Sequence, residues 1–250
     1  MKIDNPSVTQ YAGLKALWMT CFGDTDAFVD RFFAVAFSPE RCLCVTRQEE
    51  VLAAAYWLDV EFDNKKAAYI YAVATDPAHR GQELCRQLME SIHQTLLSQG
   101  YAGAMLVPGE PALREMYEKM GYADFGGIRE FACLAASDAL PVRQITKAEY
   151  AALRRSYLPA GGVAQEGACL DFLSQFYRFY QTEDHIFAAA STGCELFAAE
   201  LLGDSTAAPA ILAAFGVRSG VFRVPGSDPF AMYHSLDGAE APEYFAFAFD

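Results

Sequence analysis

The sequence predicts an α/β protein: a mixed, mostly antiparallel central sheet flanked by helices, followed by a smaller second α/β domain of similar plan. Three observations carry that reading. Residues 41–75 form three strand-like runs joined by hairpin-length turns, "QEE" and "DNK". Directly after them, Leu84, Leu88, Ile92 and Leu96 recur every fourth residue, with Cys85, Met89 and Leu97 widening the stripe, as in an amphipathic helix. A polar, proline-bearing break, "SDALPVRQIT" at 137–146, then separates this part from a second in which helices and strands resume in a similar order. The expected domains are 1–137 and 138–250.

Taken in order, "YAGLKALWMTCF" places Leu14, Leu17, Trp18 and Cys21 on one helical side, and "DAFVDRFFAVAF" does the same with Phe28, Phe32, Val35 and Ala36. "RCLCVTR", "VLAAAYWLDVEFD" and "KKAAYIYAVAT" are rich in β-branched and aromatic residues over strand lengths. The third ends at Asp76-Pro77, which cannot continue a ladder. A helix over 81–99 follows, ending near Gly100. Next come a short strand in "YAGAMLVPG", a helix opening at Pro111 and closing at Gly121, and strands in "YADFGG" and "REFACLAA". The second part offers a helix over 147–158, a Gly-rich loop over 159–167, a helix over 170–181 and strands at 185–191 and 194–202. It closes with a helix over 206–216 and strands near 220–224, 229–236 and 243–249.

With 53% hydrophobic and 14% aromatic residues the chain has ample material for a core. A net charge of −13 argues against nucleic acid as a partner and suits either a cationic substrate or plain solubility. "MKIDNPSVTQYAG" lacks the apolar core of a secretory leader, and no apolar run approaches the roughly 18 residues that cross a bilayer. No membrane association and a cytoplasmic location are therefore expected. Seven scattered cysteines, mostly in apolar runs, read as reduced thiols. "CLC" at 42–44 puts two sulfurs on one strand face with no further ligand at metal spacing, so no metal is expected.

The stretch "VATDPAHRGQELCRQL", 73–88, runs strand, turn, helix. The first N–H groups of such a helix have no internal partner and carry partial positive charge, Arg80 adds a fixed charge, and Gly81 removes a Cβ where a ligand would approach the backbone. This stretch, with "ALREMYEKMGY" further on, resembles the GCN5-related N-acetyltransferase (GNAT) family across residues 40–136. The resemblance implies acetyl-CoA as co-substrate and direct transfer of its acyl group to a primary amine of a small molecule or peptide. It implies that Val73 and Ala74 at the strand end bond the pantetheine arm. Arg80, Gly81, Gln82, Glu83, Leu84 and Cys85 would then hold the pyrophosphate, and Tyr117 would protonate the departing thiolate. Tyr69 and Tyr71, alternating with Val73 on one strand face, line the substrate cleft in this reading.

Two departures from the family pattern stand out: Glu83 where glycine is usual, and Glu110 where asparagine is frequent. A carboxylate at 83 either points to solvent or weakens the phosphate site, and the second alternative would fit a non-catalytic CoA-binding or sensor protein with a degenerate site. No carboxylate lies on the strand before the turn, leaving the base that deprotonates the amine unassigned. Asp59, Glu61 and Asp63 share one face of the preceding strand and are candidates, although alternate acids on a strand commonly form its solvated side. Asp250, at the end of an apolar final run, is another, with a frayed terminus as the alternative. His79, His93, His185 and His234 have no partner at catalytic spacing and read as structural. Aromatics of "QFYRFYQ" and "PFAMYHSL" fit an acceptor pocket and core packing equally.

Overall fold

The apolar faces expected of the first two helices lie against one side of a β-meander. Leu14, Leu17 and Trp18 of α1 (Tyr11–Phe22) and Val29 and Phe32 of α2 (Asp26–Val35) are buried there. The computed structural model describes residues 1–249. Gly23, at φ 73°, closes α1, and the Thr25 hydroxyl caps α2 by accepting from Phe28 N at 3.3 Å. The meander consists of β2 (Cys42–Arg47), β3 (Glu50–Phe62) and β4 (Lys65–Thr75), paired antiparallel, with β1 (Lys2–Asp4) added along β2. Helix α3 (Leu84–Ser98) crosses the other sheet face and buries Leu84, Leu88, Met89, Ile92 and Leu96. The chain then returns as β5 (Gly103–Leu106), parallel to β4. Helix α4 (Pro111–Glu118) and β6 (Ala123–Leu134) complete the first part.

The two strands expected over 122–136 are thus one. Gly126 adopts φ 67° within it, where a Cβ would stand 3.1 Å from Phe245 N, so the glycine pair accommodates a close neighbour instead of ending the strand. The second part departs further from expectation. The presumed linker contains β7 (Arg143–Ile145) and leads into α5 (Lys147–Tyr157), capped reciprocally by Thr146 and Glu149. The Gly-rich loop contains β8 (Ala164–Gln165), paired with β3. The helix expected over 170–181 is α6 (Gly167–Leu173), and "RFYQ" is β9 (Arg178–Gln181). Tertiary pairing overrides the local pattern there: β9 lies between β7 and β10, and Phe179 stacks on Tyr150 at 4.4 Å. The remaining elements are β10 (Ile186–Ser191), β11 (Glu195–Leu202), α7 (Ala208–Phe215), β12 (Ser219–Pro225) and β13 (Asp228–Ser235). The strand expected over 243–249 is instead a segment outside the sheet with one isolated β-bridge, Gly162 with Tyr244, and with residues 244–248 buried.

The two parts share a plan. In the first, an antiparallel meander ends in β4, crosses through α3 and returns as parallel β5. In the second, the meander β9–β10–β11 crosses through α7 and returns as parallel β12. Each part also completes the sheet of the other, because β13 lies between β5 and β6 while β6 pairs with β12. The result is one 13-stranded sheet among the described residues. Glu200, fully buried on β11, receives Arg154 through Nε (2.6 Å) and a terminal nitrogen (2.8 Å), the Tyr150 hydroxyl (2.6 Å) and the Tyr244 hydroxyl (3.2 Å). No helix among the described residues is long and apolar enough to cross a membrane.

The strand exchange predicts the behaviour of a fragment. Residues 1–137 alone lose β12 and β13, leaving both edges of β6 and one edge of β5 without backbone partners. This fragment is expected to be aggregated or unfolded in size-exclusion chromatography and amide-exchange experiments. A monomeric fragment with native-like protection of β5 and β6 would contradict the interlocked architecture.

Candidate active site

Val73 and Ala74 sit where β4 leaves both of its neighbours. The parallel ladder to β5 runs only from Ala67–Gly103 to Tyr69–Met105. On the β3 side the register slips, Tyr56 facing Tyr71 but Ala54 facing Ala74, and Ala72 takes φ 50°. This is a bulge with one extra residue on β4. It breaks the simple alternation: Tyr69 and Tyr71 pack with the α1–α2 core, whereas Val73 packs with the α3 core. The expectation that Val73 shares the tyrosines' face is therefore corrected, since the inserted Ala72 turns the strand over. Beyond Tyr69 the β5-facing edge of β4 has no strand partner, which is the requirement for adding an extended ligand alongside it.

After β4 the Asp76 carboxylate accepts from Ala78 N at 2.7 Å and sets a short turn. The chain passes Gly81 at φ 76° and Glu83 at φ 59° before α3 begins at Leu84. The first intrahelical bond is Gln87 N to Glu83 O, so the N–H groups of Leu84, Cys85 and Arg86 precede it. A Cβ placed on Gly81 would meet nothing within 4 Å, so the space beside this backbone is open. Glu83 points away: its side chain is 67% exposed and pairs with Arg86 Nε at 2.8 Å. The Arg80 side chain folds back, Nε donating to Thr75 O at 3.3 Å beside the Cys21 thiol. Gln82 is exposed, while the Leu84 side chain is buried in the core, leaving only its backbone to face a ligand. Cys85 is pushed up to about 11 by burial and then by the Glu83 charge, so it is a protonated thiol at neutral pH.

Two cavities meet at this point. One, of about 820 Å³, extends from the Arg80–Cys85 turn past Glu110 to Tyr117. The other, of about 810 Å³, extends from Tyr117 between the two parts of the chain. Phe22, Val73, Gly109, Leu113 and Tyr117 line both. Tyr117 is 6% exposed, and no other group among the described residues hydrogen-bonds its hydroxyl. Burial, followed by the neighbouring Cys85, drives its phenol well above the ordinary value, so it carries its proton throughout the physiological range. Tyr69 and Tyr71 line the second cavity; the Tyr69 hydroxyl accepts from Phe249 N at 3.3 Å, and both rings contact Phe249.

Other expected candidates lie elsewhere. Burial alone would raise Asp59, but hydrogen bonds from Arg41 and from the Tyr101 hydroxyl (2.5 Å) hold it below its ordinary value. Glu61 pairs with Arg155 at 3.0 Å, and Asp63 occupies the exposed β3–β4 turn at φ 48°. Asp59 and Glu61 line a separate cavity of about 500 Å³ that does not include Tyr117. Asp250 lies outside the described residues. His79 contacts Arg47, His185 bonds Thr182, and His93 bonds the Tyr122 hydroxyl at 2.8 Å while stacking on His234 at 4.2 Å. Of the aromatics left open between pocket and core, Phe176 and Tyr177 line the second cavity, whereas Phe230 and Tyr233 are core. Sequence reasoning missed Trp18, Asp24, Phe28 and Phe197, which join this cavity only through the docking of α1, α2 and the second part.

A bulged strand splayed from its parallel neighbour, a glycine-bearing turn into a helix N-terminus and a buried tyrosine between two cavities define the cleft of an acyltransferase fold. Residues 2–124 match the family model described as "Acetyltransferase (GNAT) domain", so this segment, about half of the chain, is a domain of the GCN5-related N-acetyltransferase family. Solved structures extend the likeness of fold to the whole chain. A GCN5-related N-acetyltransferase from Kribbella flavida is 18% identical with a TM-score of 0.73, covering 94% of this chain and 71% of that one. One from Anabaena variabilis is 14% identical with a TM-score of 0.76, covering 94% and 72%. An acetyltransferase from Pyrococcus horikoshii, described as putative, is 12% identical with a TM-score of 0.63, covering 98% and 92%. No curated protein matches the chain.

Two expected outcomes follow from this geometry. Burial, and then the proximity of His234, lower His93 to about 3, below the roughly 6.5 of an unfolded histidine. Its neutral form is thus favoured by folding, and the associated stability is complete above about 6.5 and declines as pH falls toward 3. In urea titrations from pH 7.5 to 4, His93→Gln should flatten that decline; an unchanged pH dependence would exclude His93 as its source. Glu83→Gly should leave stability within about 1 kcal/mol of the parent, because relief at φ 59° offsets the added chain freedom. Its removal of a carboxylate worth ~0.3–1 kcal/mol at a helix N-terminus should tighten calorimetric acetyl-CoA binding about twofold to fivefold.

Proposed function

We propose that the protein is an acetyl-CoA-dependent N-acetyltransferase that moves the acyl group to a primary amine by direct transfer. The observation that supports this most is the position of the Tyr117 hydroxyl, unpaired among the described residues, at the junction of two cavities beside the open edge of β4. The residues present fit a CoA thioester. The free edge at Val73 and Ala74 offers backbone donors and acceptors to an extended pantetheine arm, while the first-turn N–H groups of α3, with Gly81 giving close approach, offer an anion site.

Acetyl-CoA brings the activated carbonyl. A neutral amine nitrogen attacks that carbon, the new C–N bond forms, and the C–S bond breaks. Tyr117 gives its hydroxyl proton to the departing sulfur, and the nitrogen loses one proton, which returns through solvent to the phenolate. The raised pKa keeps Tyr117 in its donating form. The competing reading, a CoA-binding sensor without chemistry, shares the cofactor site and differs only in turnover.

The test combines acetyl-CoA calorimetry with thiol release in the presence of amines. Tyr117→Phe should lower turnover about a hundredfold while leaving acetyl-CoA affinity within about twofold, as expected for loss of a general acid. Binding without amine-dependent thiol release would leave the sensor reading, and a Phe variant equal to the parent in turnover would remove Tyr117 from the chemistry.

A further inference from the structure

The second cavity has a composition that addresses its occupant. It is walled by aromatic rings contributed by both parts of the chain, among them Trp18, Phe28, Tyr71, Phe176 and Phe249. These rings already pack on one another at its floor: Trp18 and Tyr71 lie 5.4 Å apart at 72°, and Tyr71 and Phe249 lie 4.9 Å apart. Phe22, at the mouth shared with the first cavity, leaves 47% of its surface exposed although it is a large apolar side chain. Among the described residues the cavity has no Lys, Arg or His, and its charged lining group is Asp24. That carboxylate is half-buried and fixed, Oδ2 accepting from Trp18 Nε1 at 2.8 Å, while Oδ1 has no partner among the described residues. Its field is felt inside the cavity, since the Tyr71 phenol is driven upward first by burial and then by the Asp24 charge.

A fixed carboxylate with one open oxygen, set among ring faces in a cavity that no cationic side chain lines among the described residues, selects a positive charge. The surrounding rings reward an apolar body that can stack against them, and a strongly hydrated chain of several charges would lose its water without gaining equivalent partners. A cavity of about 810 Å³ is of the size that encloses a small molecule. We propose that the acceptor is a primary amine carried on an apolar, ring-bearing body, with its ammonium held at Asp24 Oδ1 and its body stacked among Trp18, Phe28, Tyr71 and Phe249. This inference rests on the acetyltransferase reading and names its substrate class. On leaving Asp24 the ammonium gives its extra proton to solvent, and the neutral nitrogen then meets the thioester, so Asp24 governs capture of the amine.

The experiment compares 2-phenylethylamine with spermidine as acceptors, with parent and Asp24→Asn proteins. Asparagine keeps an oxygen for Trp18 and removes only the charge, so the fold is preserved, which a thermal melt verifies. The parent should use 2-phenylethylamine at least tenfold better than spermidine in kcat/KM, and Asp24→Asn should lower that value about tenfold or more. The variant's affinity for acetyl-CoA and for the uncharged 2-phenylethanol, read by calorimetry, should remain within twofold of the parent's. Equal or better use of spermidine, or an unchanged kcat/KM in Asp24→Asn, overturns the inference while leaving acetyl transfer standing. If acetyl-CoA binds but neither amine is acetylated, calorimetric titration of 2-phenylethylamine into the CoA-loaded protein decides: Asp24-dependent binding supports the assignment and its absence overturns it. Failure of acetyl-CoA itself to bind removes the acetyltransferase reading and this inference with it.

Discussion

The fully buried Glu200 carboxylate is the constraint on which the second part of the chain, and the wall it gives to the cleft, depends. A carboxylate removed from water is costly unless both oxygens are occupied, and here Arg154, Tyr150 and Tyr244 occupy them. Arg154 in turn donates from its remaining terminal nitrogen to Val163 O and from the nitrogen shared with Glu200 to Gln165 Oε1, and the Gln165 amide donates to Phe247 O. These contacts join α5, the Gly-rich loop, β11 and the last described residues into one network. Satisfying one buried charge therefore also fixes the tail that brings Phe249 against Tyr69 and Tyr71. A buried ion pair of this kind need not be stabilising relative to an apolar substitute; its effect is to permit only the arrangement in which all partners meet.

The strand exchange has a similar consequence at larger scale. Two halves of similar plan could each close a sheet, but β13 entering beside β5 and β12 beside β6 makes each half the other's edge protection. The second cavity then lies between the halves, lined by α1, α2, β4, the segment after α6, β11 and the tail. The parts serve different ends. The first retains the glycine-bearing turn and the bulge, while the corresponding crossover of the second, through α7, contributes core packing under Phe187, Leu212 and Phe222.

The strand, turn and helix proposed to hold the cofactor were legible as elements because they are local. A strand, a turn with Arg80 and Gly81, and a helix with fourfold apolar spacing lie within one stretch, and helix termini impose their own chemistry. Tyr117 was singled out by resemblance, not by periodicity, since it sits among Leu113, Met116 and Met120 as a core tyrosine would, and its role remains the one proposed above. The bulge at Ala72 was not legible: nothing in "AAYIYAVAT" marks a non-glycine residue for positive φ, and the slip is imposed by register against β3. β9 was misread because "RFYQ" follows a helical pattern and becomes a strand only through pairing with β7 and β10. Asp24 was invisible for the same reason. In sequence it is one acid in "FGDTD", and its significance comes from Trp18 six residues earlier and from rings more than 140 residues later, such as Phe176.

Glu83 shows how a departure from a family pattern can be absorbed. Glycine is the residue that takes φ 59° without strain, so glutamate there carries a conformational cost of about 1–2 kcal/mol. Its side chain cannot turn into the anion site without setting one negative charge against another, and the left-handed backbone together with Arg86 directs it to solvent. The carboxylate then lies beside the helix N-terminus as a first-turn acid would, favourable to α3 itself. What the substitution loses at the backbone it partly recovers at the helix dipole. The N–H groups of Leu84, Cys85 and Arg86 are unaffected by the identity of residue 83, because they belong to the turn that starts after it. The proposed anion site is a property of the backbone, and on that reading a side chain that leaves the backbone in place attenuates it without abolishing it.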